Sequence, residues 1–142
     1  EVRSVCPEAL HWYTMPRLLL PNWVHLAVMR VVPMPFLFWG KAHSQSYPMH
    51  RDREDYFDFA MIIFRGKKRY ALFSPEESPK LARIPGIAKY EVFEANPFAP
   101  DVVATPGLRD AAGWRGVVNA GEMLFVPGGF IHHFENYDFE EA

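Results

Sequence analysis

Prolines restrict this chain to short structural elements. Thirteen of them are spread over 142 residues, so few stretches are long enough for an uninterrupted helix. Aromatic residues make up 15% of the chain and Phe alone occurs 12 times, which favours strands. The apolar runs are short and are separated by Gly and Pro turns, a pattern typical of a β-sandwich or barrel. The sequence therefore predicts a mainly β fold.

The first half of the chain contains the clearest element boundaries. Helix signals are concentrated in residues 7–30, and "PFLFWG" (35–40) is predicted to be a short buried strand. Two more strands are predicted at 55–64 and 67–73. Because only a short turn containing Gly66 separates them, we expect these two strands to pair as a tight hairpin.

The second half of the chain is predicted to consist of short elements joined by loops. Residues 75–83 predict one or two helical turns, and residues 84–114, rich in Pro, Gly, Ala and Asn, predict long loops with short strands. Residues 116–138 contain two apolar runs, "EMLFVP" and "FIHHF", divided by Gly128 and Gly129. We expect two strands there.

Composition excludes several classes of protein. The net charge is −2 with acidic and basic residues interspersed, which argues against a nucleic-acid surface. Cys6 is the only cysteine, so a disulfide scaffold and a cysteine-rich zinc site are excluded, and an intracellular location, cytoplasmic or nuclear, is expected. No apolar run reaches 18 residues, so no transmembrane helix is expected. The length fits one domain spanning residues 1–142.

The tripeptide His50-Arg51-Asp52 is the first candidate metal site. In a strand, residues i and i+2 point to the same face, so His50 and Asp52 would project together while Arg51 faces outward. An imidazole and a carboxylate placed in this way can supply two neighbouring ligands to a metal. The same letters, "HRDRED", also fit a solvated charged turn.

A third ligand would come from the late strand that contains His132 and His133. Neighbouring strand residues face opposite sides, so only one of the two can point inward. Two histidines and one carboxylate form the facial arrangement of non-haem Fe(II) oxygenases, with positions left for other ligands. A histidine in this apolar setting also fits a hydrogen-bonded core residue.

An anionic co-substrate at such a centre would need a cation at its far end. In "GKKRYALFSP" (66–75), alternation puts Lys68 on the same face as Leu72, which is expected to be inward. Lys67 falls on the other face. The alternative is that the cations at 67–69 form a solvated beginning of the strand.

Several of these stretches, in this order, resemble the JmjC domain of the Fe(II)/2-oxoglutarate oxygenases. They are "FWG" (38–40), "HRD" (50–52), "GKKRYALFSP" (66–75) and "AGEMLFVPGGFIHHFEN" (120–136). The last of them looks most like family members related to lysyl hydroxylases and to the asparaginyl hydroxylase of hypoxia-inducible factor. The resemblance implies a double-stranded β-helix (jelly-roll) fold, with the N-terminal helical segments as a cover.

The resemblance also implies roles for individual residues. By position, His50, Asp52 and His132 would bind Fe(II), and Lys68 would pair with the far carboxylate of 2-oxoglutarate. Tyr47 stands where the family often has a Thr that bonds the same carboxylate.

The sequence departs from the family pattern at several places. Tyr56 replaces an Asn common in the family, and Phe-Ile precedes His132 where Trp-Trp is usual. The chain does not begin with Met and ends before the family's last barrel strand, so we expect a fragment that lacks this strand.

The implied reaction is hydroxylation by O2 coupled to decarboxylation of 2-oxoglutarate. The implied substrate is a protein or peptide side chain, either hydroxylated or demethylated through hydroxylation of an N-methyl group. Two alternatives stay open: a metal-dependent cupin that does not use 2-oxoglutarate, and a non-catalytic jelly-roll binding module. The sequence specifies neither the substrate nor the oligomeric state.

Overall fold

The computed structural model describes residues 38–45, 48–52, 58–85 and 90–137, nearly all within one compact unit, Gly40–Ala142. The helices predicted for residues 7–30 lie outside these ranges, as does most of the strand predicted at 35–40. The end of that stretch does not support a buried strand, because Phe38 and Trp39 are exposed and not in a strand.

Strands dominate the described residues. Eight of them occur there: β1 (His50–Asp52), β2 (Phe59–Ile62), β3 (Lys67–Phe73), β4 (Arg83–Ile84), β5 (Tyr90–Phe93), β6 (Gly113–Asn119), β7 (Met123–Val126) and β8 (Ile131–Tyr137). Two 3-10 helices, Pro75–Lys80 and Pro106–Asp110, lie between them. The first agrees with the one or two helical turns predicted at 75–83, and Pro79 inside it is incompatible with a longer α-helix.

The described strands form two antiparallel sheets. One has the order β4-β5-β1-β8-β3-β6, and the other pairs β2 with β7. The sheets meet where the Phe59 ring of β2 packs on the His132 ring of β8, with 5.1 Å between ring centroids. This mainly β arrangement confirms the jelly-roll prediction. None of the described helices is long and apolar enough to cross a membrane.

The predicted hairpin between residues 55–64 and 67–73 is wrong. The strand at 67–73 has the predicted bounds, but it pairs with β6 and β8, whereas β2 pairs with β7 in the other sheet. Ile63 fixes the end of β2, because its N–H and C=O bond Glu122 and Gly121 in the turn before β7. Gly66, at φ +80°, then lies where the chain enters the larger sheet.

Both faces of the larger sheet are covered. Because side chains alternate along β3, Leu72 lies on one face, opposite His132, whereas Ala71 and Phe73 lie on the other face. The second face carries the described core cluster, formed by Met49, Ala71, Phe73, Leu81, Phe93, Ala95 and Ile131. Three residues from the predicted loop region pack against it: Phe98, Leu108 and Ala111. The loop region therefore closes the core, and the two short strands in it, β4 and β5, extend the sheet.

Substitution of Ile131 by Ala should destabilise the fold by about 2–5 kcal/mol, because Ile131 is fully buried in this cluster and its removal leaves a cavity. Val117→Ala is the matched control, since 44% of the Val117 surface is exposed. Its effect should stay within about 0.5 kcal/mol. Denaturant unfolding followed by circular dichroism measures both, and equal losses of stability in the two variants would contradict this description of the core.

Candidate metal centre

Strands β1 and β8 bring three potential metal ligands together. His50 lies directly opposite His132 in the antiparallel β1–β8 pair, so the two side chains share a face of the sheet. Asp52 is two residues beyond His50 and points to the same side. One potential ligand atom from each of the three residues lies within 4.8 Å of the others, a separation that one metal ion can bridge.

The three side chains touch at close range. Nε2 of His50 is 3.9 Å from Oδ1 of Asp52, and the centroids of the His50 and His132 rings are 4.3 Å apart. The rings meet edge to face, at 63°. The alternative of a solvated charged turn for residues 50–52 is therefore excluded, because His50 and Asp52 lie in a strand inside the sheet.

Backbone hydrogen bonds set the orientation of both imidazoles. Nδ1 of His50 is 2.8 Å from the carbonyl oxygen of Pro48, and Nδ1 of His132 is 3.0 Å from that of Phe130. A carbonyl oxygen can only accept, so each Nδ1 carries the proton and donates it. In the neutral ring Nε2 is then the nitrogen with the lone pair, which is how outer partners orient metal-binding histidines.

Burial keeps His132 neutral. Desolvation, reinforced by the nearby His50, lowers the pKa of His132 to about 4, so the ring is uncharged at neutral pH. A neutral imidazole is the form that binds metals. The exposed fraction of the side chain is 15% for His50 and 44% for Asp52, so solvent reaches the cluster from the Asp52 side.

Aromatic rings surround the two histidines. Phe59 packs on His132, and Tyr90 packs edge to face on His50 with ring centroids 5.1 Å apart. Phe134 contacts both Phe59 and His132. The walls of the site are therefore largely apolar, and such walls restrict water around a bound metal.

His133 lies on the opposite face of the sheet. It is opposite Ala71, its ring is 5.4 Å from that of Phe98, and neither ring nitrogen has a hydrogen-bond partner among the described residues. Burial lowers its pKa to about 4 as well. Of the two neighbouring histidines, the structure groups only His132 with His50 and Asp52.

Lys68 shares a sheet face with His132. In the β3–β8 pair, Lys68 lies opposite Asn136 and Leu72 lies opposite His132. Lys68 is therefore four residues along β3 from the residue that is paired with His132. Its side chain is half-buried, and this burial lowers the pKa of its amine. Among the described residues, Lys68 makes no ion pair. Tyr47 and Tyr56 lie outside the described residues.

Sequence reasoning missed residues that support the site from other parts of the chain. The Asp58 carboxylate accepts a 2.7 Å hydrogen bond from the N–H of Gly128, which anchors the turn that leads to His132. Tyr90 reaches His50 because β5 pairs with β1. Both contacts join distant parts of the sequence, and no local motif signals them.

Comparison with known proteins places this chain in a family. A family model described as a cupin-like domain matches residues 19–141. HSPB1-associated protein 1 of Homo sapiens is 34% identical over 102 residues, which cover 70% of this chain and 20% of the relative. The Mus musculus protein of the same name is 33% identical over 102 residues, which cover 70% of this chain and 21% of the relative. The chain thus spans about a fifth of the length of these relatives.

Replacing Asp52 by Ala should nearly abolish metal binding, because Asp52 supplies the one carboxylate of the cluster. Titration calorimetry with Mn(II) or Fe(II) under nitrogen measures the affinity. Asp110→Ala is the matched control, since that carboxylate is 68% exposed, pairs with Arg109 and is not part of the cluster. Wild-type affinity in the Asp52 variant would exclude residue 52 as a ligand.

His132→Ala should abolish metal binding, whereas His133→Ala should leave it largely intact, because the two rings point to opposite faces of the sheet. The same titration distinguishes them, with circular dichroism as a check on folding. Loss of binding in the His133 variant alone would mean that the register of β8 is shifted by one residue.

Proposed function

The chain belongs to the cupin-like domain family, and from this premise we propose that it is an Fe(II)- and 2-oxoglutarate-dependent oxygenase of the JmjC type. The observation that carries the proposal is the cluster of two imidazoles and one carboxylate, His50, Asp52 and His132. This donor set with open positions is characteristic of non-haem Fe(II) oxygenases.

The residues present fit a divalent iron ion. Both histidines offer Nε2, because each Nδ1 donates to a backbone carbonyl, and Asp52 offers an anionic oxygen. When bound, iron supplies the redox chemistry that couples oxidative decarboxylation of 2-oxoglutarate to hydroxylation of a C–H bond by O2. The protein's task is then to hold the reactants in place and to restrict water.

Lys68 is the proposed partner of the far carboxylate of 2-oxoglutarate. It is on the same face as His132, is half-buried, and has no ion pair among the described residues. A cation that loses solvation without a partner in the protein is suited to an anionic ligand. On this face Tyr70 lies between Lys68 and Leu72, and Leu72 lies directly opposite His132, so both side chains would line the co-substrate.

The substrate would approach from the Asp52 side, which is the more exposed part of the cluster. We propose a protein or peptide side chain as substrate, modified by hydroxylation or by demethylation through hydroxylation of an N-methyl carbon. The names of the relatives, which describe association with HSPB1, support a protein partner for this chain as well. We also propose that residues 1–142 form one domain and that the protein is intracellular.

A non-catalytic binding module is the second candidate. The relatives are named for a partner and not for a reaction, which favours this alternative. Such a module, like a cupin that works without 2-oxoglutarate, has no need for a half-buried lysine beside the metal site. Binding of 2-oxoglutarate that depends on Lys68 therefore separates the oxygenase from both alternatives.

Lys68→Ala should weaken 2-oxoglutarate binding to the Mn(II)-loaded protein under nitrogen and leave Mn(II) binding intact. Removing one partner of such a charge pair costs about 2–5 kcal/mol. Because Lys68 is only half-buried, we expect the lower end, roughly thirtyfold in dissociation constant.

Lys67→Ala is the matched control, since alternation along β3 points Lys67 to the other face, and its affinity should stay close to that of the wild type. Titration calorimetry measures all three proteins. Equal affinities for wild type and Lys68→Ala would remove the reason to prefer an oxygenase that uses 2-oxoglutarate.

A further inference from the structure

Arg51 stands between the two ligands of β1 but on the other side of the sheet. The sequence predicts that Arg51 faces outward, but its side chain is mostly buried, and its guanidinium pairs with the carboxylate of Glu91. Glu91 lies directly opposite Arg51 in the β1–β5 pair, and its own side chain is only 9% exposed. Arg83 of β4 completes the group, with Nε 2.9 Å from the other oxygen of Glu91.

The strand that carries His50 and Asp52 is short. β1 is three residues long; it pairs with β5 at all three and, among the described residues, with β8 at His50 and His132. A shift of one residue would reverse every side chain of β1, turning Arg51 toward the metal side and the two ligands toward the core. In one direction the shift would also bring Asp52 opposite Glu91, where like charges repel.

A buried ion pair is a weak source of stability, because desolvation offsets the attraction, and its best-attested use is to specify register. We propose that the Arg51–Glu91 pair fixes the register of β1 and so positions His50 and Asp52 beside His132, an inference that rests on the metal function proposed above. Alternation places Arg51 on the face of β1 opposite to His50 and Asp52. It is a positioning residue that acts from the back of the strand.

The test uses variants that separate register from stability. R51M/E91M removes both charges of the pair together, so that neither Arg51 nor Glu91 is left buried without the other. R51K keeps a cation at the same place. R83M is the matched control, because Arg83 contacts the same carboxylate from β4, which carries no ligand, and is 55% exposed.

Two readouts are measured on each protein, with urea unfolding as the check on stability. The first is the nuclear Overhauser contact between the His50 and His132 rings in metal-free protein, which the 4.3 Å centroid distance predicts for the wild type. The second is Co(II) affinity with the Co(II) absorption spectrum. We expect R51M/E91M to fold, to lose the ring contact and to bind Co(II) about tenfold more weakly, the lower end of the cost of losing groups behind metal ligands.

R51K should retain the ring contact and most of the Co(II) affinity, and R83M should match the wild type. The inference is overturned if R51M/E91M keeps both the contact and the affinity, or if R83M loses as much as it does. If the double variant does not fold, R51M decides, because Glu91 keeps Arg83 as a partner there. Loss of the ring contact in folded R51M, with R83M unchanged, supports the inference, and an unchanged contact in folded R51M contradicts it. Failure of wild-type protein to bind Co(II) would overturn the proposed function, while the ring contact would still report on the register.

Discussion

The direct pairing of His50 with His132 across β1 and β8 is the constraint on which the candidate site depends. Directly opposed residues of an antiparallel pair share a face, and alternation then adds Asp52 to the same side. The two carbonyl groups that accept from the Nδ1 atoms belong to residues two positions earlier on each chain segment, so the backbone that sets the pairing also sets the orientation of both rings.

The same alternation divides the larger sheet into two environments. One face holds the cluster, the aromatic walls and Lys68, and the other holds the described core with Ile131 and Phe93. Consecutive residues therefore have different roles: Ile131 packs in the core and stabilises the fold, whereas His132 faces the second sheet. Within such a sheet, a change on the core face can reach the metal site through strand register without touching a ligand, as the Arg51–Glu91 pair illustrates.

Local pattern was enough to predict the bounds of β3 and the grouping of His50 with Asp52, because both depend on neighbours a few residues apart. It failed where distant segments decide the outcome. The strand at 59–62 pairs with β7 and not with its neighbour in sequence, and Arg51 pairs with Glu91 on another strand. The hydrogen bond that Asp58 accepts from the N–H of Gly128 joins residues 70 positions apart, and no local motif in either stretch predicts it. Such contacts follow from the pairing of distant strands within each sheet and from the packing of one sheet on the other, which a hydrophobic pattern does not specify.

The most direct test of the account is a crystal structure of the protein with Mn(II) and N-oxalylglycine, with the metal located by its anomalous signal. We expect one Mn(II) ion, bonded to Nε2 of His50, Nε2 of His132 and a carboxylate oxygen of Asp52. The far carboxylate of the inhibitor should lie at the Lys68 amine. A peak bonded through His133, a peak away from the cluster, or no peak at saturating Mn(II) would contradict the account.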